Sequence, residues 1–114
     1  MTAASELLWL PIVLMGMSYY KIIIEGKNCW VNIDGTVRKL GFFTTRVGHA
    51  SNASQAKEAV LLELSKELRS YLSNDSFDLP EITGDEITEI GLTEATEIPG
   101  AGFTWYQEDT APSN

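Results

Sequence analysis

The residue order predicts an α+β domain: one long amphipathic helix lying on one face of an antiparallel sheet of four or five strands. Three observations carry this. β-rich runs of alternating polarity fill residues 19–47, a helical stripe follows over residues 53–72, and two further β-rich runs come after it. The order is therefore β-β-β-α-β-β, with the helix segregated to one side of the sheet.

Tyr19 to Glu25 places Tyr20, Ile22 and Ile24 on one face of a strand and Tyr19, Lys21, Ile23 and Glu25 on the other. Gly26-Lys27-Asn28 is expected to break the strand, with Cys29 to Ile33 as a second short one. Asp34-Gly35 is a hairpin signal, because glycine tolerates the positive φ that a tight turn requires. Thr36 to Val47 then reads as a long third strand. Asn52 is placed to cap a helix from Ala53 to Leu72, with Gln55 three residues on completing a capping box. Ala56, Val60, Leu64, Leu68 and Tyr71 recur at helical spacing, and Leu61 and Leu72 widen the stripe. In Glu81 to Ile90 the apolar anchors are Ile82, Ile87 and Ile90, and the shift from Ile82 to Ile87 across Gly84 predicts a bulge or bend rather than a clean strand. Residues 91–102 read as a surface loop, and Phe103 to Tyr106 as a short last strand.

A chain of 114 residues is one domain, expected over 17–107, with 108–114 a polar tail. Residues 1–16 read as a leader. Leu7 to Met17 is uncharged but far short of the roughly 20 residues that span a bilayer. No base precedes it, and Leu14 and Gly16 match a signal-peptide cleavage site poorly. The preferred expectation is a dispensable leader ahead of a natural start at Met17; a segment packed on the core and a secretion signal are the alternatives.

Charge is strongly segregated. All eight bases lie in the first 69 residues, against six acids there, whereas the rest of the chain holds ten acids and no base; the whole carries −8. Such a segment is solvated, folded against the basic part, or presented to a cationic partner. Direct nucleic-acid binding is disfavoured by the sign of the charge. A lone Cys29 argues against a disulfide-stapled secreted scaffold, and the chain is expected to be cytoplasmic, with no membrane association.

Sites for chemistry are scarce. One His and one Cys cannot assemble a zinc or iron–sulfur ligand set, and phosphate-loop, dinucleotide and nucleophile-elbow motifs are absent from the sequence. No metal or cofactor is expected. Arg46 and His49 stand just before the Asn52 helix start, where an anion would be favoured. These three residues are the candidate ligand site. The aromatics carry a second expectation. Phe42 and Phe43 alternate across the sheet, as do Trp105 and Tyr106, and one helix covers one face only. Trp30, Phe42, Trp105 and Tyr106, with the acids Asp85, Glu86 and Glu89, are the candidate interaction surface, unless the N-terminal segment or the 91–102 loop covers the aromatics.

The segments YKIIIEG (20–26), LGFFTTR (40–46) and GFTWY (102–106) resemble those of small uncharacterised bacterial proteins. More distantly, the strand–strand–helix order over residues 19–72 is similar to the HicB-like antitoxin domain. The chain lacks the Pro-containing segment expected between the strands, and any appended DNA-binding element. That likeness implies, by analogy of fold, an antitoxin-like inhibitor of a basic partner, with a phage-type inhibitor as the other specific form. The expected function is a non-enzymatic protein–protein interaction module, meeting a basic protein or a second copy of itself as a homodimer. The alternative is a binder of a small anion or nucleotide, or an enzyme, at Arg46 and His49.

Overall fold

The computed structural model describes residues 16–75 and 77–108. Residues 1–15 of the expected leader and 109–114 of the tail lie outside the described residues. The fold is α+β, with a four-stranded, wholly antiparallel sheet in the order β3-β1-β2-β4. Its strands are β1 (Ser18–Ile33), β2 (Thr36–Ala50), β3 (Glu81–Ile90) and β4 (Thr104–Gln107), joined through helices α1 (Ala53–Leu68) and α2 (Leu92–Glu97).

The first two expected strands are one. Gly26 still pairs with Phe42 and Cys29 with Leu40, so Lys27 and Asn28 together oppose Gly41 in a β-bulge. Asn28 takes φ 58°, a left-handed conformation that asparagine tolerates better than most residues. The bulge reverses the alternation. Tyr20, Ile22 and Ile24 face α1 before it, and Cys29 and Val31 continue the same face after it. An unbroken strand would have turned Asn28 and Trp30 into the core.

Asp34 and Gly35 have φ 52° and 86°, the pair of positive values of a type I′ hairpin turn. Asn32 Oδ1 accepts from the Gly35 N–H at 2.9 Å. In β3 the apolar shift is a bulge as anticipated: Ile23 pairs with Glu86 and Ile24 with Gly84, leaving Asp85 without a partner.

Helix α1 begins where expected. Asn52 is extended and its side chain accepts from Gln55 N at 2.9 Å. The reciprocal half of the capping box does not form, because Gln55 Oε1 takes the Ser51 hydroxyl instead. The helix ends at Leu68, four residues short of Leu72. Ser70 Oγ turns back to the Glu67 carbonyl, and Leu72 leaves to bridge Val31 on the edge of β1 that β3 does not reach. Tertiary pairing outcompetes continued helix there. Ala56, Leu64 and Leu68 are buried against Tyr20, Ile22, Ile24, Cys29, Phe42 and Ala50, whereas Tyr71 stays half exposed. The loop expected over 91–102 contains α2, which rests on the opposite side of the sheet through Lys21 and Glu94, 3.4 Å apart. Among the described residues no helix is long and apolar enough to cross a membrane.

Candidate functional site

The three residues of the anion-site expectation do not converge. Strand β2 alternates regularly, so Arg46 shares the helix-facing side with Phe42, Thr44 and Gly48, while His49 projects from the other. Arg46 Nη1 meets Glu67 Oε1 at 2.9 Å, its Nε donates to Thr44 Oγ1 at 3.0 Å, and its guanidinium lies 5.2 Å from the Phe103 ring centroid. Its Nη2 is buried without a hydrogen-bond partner. The aromatic face of Phe103 supplies the electrostatic contact on that flank. His49 stacks flat on Tyr19, centroids 4.2 Å apart at 9°. Asn52 is occupied as a helix cap. Each residue has a structural use.

The candidate aromatics divide between the two faces. Phe42 is 0% exposed. Trp105 crosses its ring at 5.4 Å and Phe103 at 5.1 Å, both edge-on, so these rings form the end of the core beneath α1. Trp30 is tied down, its indole N–H donating to Asp78 at 3.1 Å. Tyr106 lies on the open face over Gly41, beside the exposed Phe43, and its hydroxyl donates to Glu25 Oε2 at 2.6 Å. Phe43, absent from the expected surface, is the aromatic that is exposed there. Alternation predicted that Phe42 and Phe43 oppose each other but not which one α1 would cover.

Two late acids serve the β1 bulge. Both Glu108 carboxylate oxygens accept from the Asn28 N–H, at 2.9 and 3.0 Å. Asp78 takes the Asn28 and Trp30 side chains, while Asn74 donates to the carbonyls of Asn28 and Asp78. The loop after α1 is thereby fastened to β1, and Glu108, assigned to the tail by its composition, belongs to the domain.

Burial, with the nearby Glu108 carboxylate, pushes the Cys29 thiol up to about 11 from 9.0. Burial and the hydrogen bond to Glu25 push Tyr106 up to about 12 from 10.0. Both groups hold their proton more tightly folded than unfolded. Their contribution is intact below pH 9, begins to fall as the unfolded thiol ionises, and is lost as pH rises through the folded values. The urea midpoint is accordingly expected to be level from pH 7 to 9 and to drop steadily beyond. At neutral pH a thiol-specific disulfide reagent should modify Cys29 no faster than the chain opens.

Among the described residues, the exposed, unpaired bases Lys27, Arg38, Lys66 and Arg69 lie on β1, β2 and α1 and just after it, whereas β3 carries acids alone. Glu67, Glu94 and Glu108 are paired with Arg46, Lys21 and Lys39. Among the described residues, Glu81, Asp85, Glu86 and Glu89 on β3 and Glu97 at the end of α2 form no ion pair, and all five are exposed. They line one edge of the sheet and the helix that follows it. No group of three or more His, Cys, Asp or Glu among the described residues is arranged to hold a metal ion. Comparison with protein-family models, with curated proteins and with solved structures finds no match.

Proposed function

We propose that this chain is a non-enzymatic protein–protein interaction module whose acidic β3 edge receives a basic protein. The observation that supports the reading is the set of carboxylates at Glu81, Asp85, Glu86 and Glu89, exposed on one edge strand and in no ion pair among the described residues. Like charges on one edge repel when alone and are relieved when a cationic surface meets them. They also keep the edge from pairing indiscriminately with other strands. A neutralising inhibitor of a basic protein, in the manner of a HicB-like antitoxin, is the specific form of this proposal.

The immobilised chain should capture basic proteins from lysate at low salt and release them as screening shortens to roughly 8 Å at physiological ionic strength and below that at higher salt. The triple variant Asp85→Asn, Glu86→Gln, Glu89→Gln keeps the fold, because none of these side chains is buried, and should lose the capture. Equal capture by this variant, or capture indifferent to salt, would refute the reading.

A further inference from the structure

The other edge of the sheet is built differently. Strand β4 covers β2 only from Leu40 to Phe43, so among the described residues Thr45 to Ala50 have β1 on one side and no strand on the other. The Lys39 carbonyl accepts from Glu108 N on the β4 side, which sets the phase of the strand. By alternation the N–H and C=O groups of Thr45, Val47 and His49 also point outward. Among the described residues neither strand pairing nor a loop hydrogen bond reaches them.

Edges are ordinarily guarded by charge, proline or a bulge. Strand β3 has acids and the Asp85 bulge. The β2 segment has neither proline nor lysine, and its one charge, Arg46, is turned beneath α1 onto Glu67. Beside this edge runs an open groove of about 390 Å³ between β2 and α1. Val47, Val60 and Leu62 line it, Leu62 at 58% exposure, and Glu63 and Lys66 stand at its rim.

We propose that this edge takes a second copy of the chain, with β2 pairing antiparallel to its counterpart about a two-fold axis at Val47. The pairing is self-complementary at each level. Outward-facing Val47 meets itself and Thr45 meets His49, exchanging the free backbone hydrogen bonds. Arg46 falls opposite Gly48 of the other copy, where no side chain competes for room. The rim carries one acid and one base, so Glu63 and Lys66 of the two copies attract across the axis. Charge selects the same end of the molecule: two chains of −8 repel at β3 and meet without net charge at β2. A basic protein has no such preference for a groove whose rim is neutral. The product is a continuous eight-stranded sheet with an acidic β3 edge at each end, presenting a basic partner with two contacts.

Sedimentation equilibrium on the full chain tests this, up to about 100 µM, a hundredfold above a micromolar Kd. The expected mass is twice the 12.6 kDa of one chain. Val47→Pro removes an outward N–H without touching the β1 ladder, and Leu62→Glu puts charge in the groove at an exposed site. Each should give 12.6 kDa with an unchanged circular-dichroism spectrum. Amide exchange at Val47 and His49 should slow with concentration in the parent chain and not in Leu62→Glu. A parent that stays monomeric overturns the proposal. So does a dimer that survives both substitutions, or a monomer whose Val47 and His49 amides are protected, since the edge would then be covered within one chain. The triple acid-to-amide variant on β3 should leave the mass unchanged, which separates this result from the fate of the acidic-edge reading.

Discussion

Replacing Phe42 with alanine is expected to lower stability by about 3–5 kcal/mol and the unfolding midpoint by roughly 12–40 °C. The ring is fully buried where β1, β2 and β4 meet beneath α1. It carries the edge-on contacts to Phe103 and Trp105 and occupies the space over Gly26 that a β-carbon there would need, 2.0 Å from its Cε2. Removing it leaves a void bounded on one side by backbone, which collapses poorly, and unseats the two rings that hold the short β4 against the sheet. Phe43→Ala, one residue along, removes a ring that is 42% exposed on the open face and should change stability by less than about 1 kcal/mol. Calorimetry on the pair measures the asymmetry between the two faces directly. Similar losses at both positions would mean that the open face is covered as thoroughly as the helical one.

The second large effect concerns Arg46. Its side chain is 11% exposed and Glu67 is 35% exposed. Glu67→Ala strands a guanidinium that already has one nitrogen without a hydrogen bond. Breaking a fully buried pair costs about 3–5 kcal/mol, and partial exposure of Glu67 reduces this to about 2–3. Arg46→Met removes the charge and keeps most of the volume against Phe103. It should change stability by less than about 1 kcal/mol, since apolar replacement of a buried ion pair is often neutral or stabilising. Denaturant titration of the two variants therefore gives an inverted order, with loss of the more exposed partner doing more damage. If Arg46→Met were the worse of the two, the pair would be a net source of stability.

Much of the local structure was legible in the chain. The Asp34-Gly35 turn needs residues that accept positive φ, and Asn52 supplies an oxygen where a helix start leaves free amides. The shift of apolar parity around Gly84 marked a real bulge, because parity is a local property of a strand. Gly26-Lys27-Asn28, by contrast, reads in the sequence as a break. A break and a bulge differ only in whether the neighbouring strand pairs across the irregularity, and that depends on β2 continuing through Gly41 and on Glu108, eighty residues away, taking the Asn28 N–H. The end of α1 was lost for a comparable reason: Val31 and Trp30 offered the backbone of residues 72–73 partners that helical periodicity cannot register.

The candidate sites divide in the same way. The sequence by itself determined the charge segregation and the alternation that opposes Phe42 to Phe43, since these are properties of composition and spacing. Only the tertiary structure decided which aromatic is buried, that Arg46 and His49 leave opposite faces, and which stretches of strand are edges. Strand order is not encoded in any single strand. It follows from long-range pairing, in which β3 takes the β1 side, and the four residues of β4 are too few to cover the fifteen of β2. The acids were therefore visible as charge before the fold was known, whereas the open backbone at Thr45 to Ala50 became visible only once the sheet was assembled.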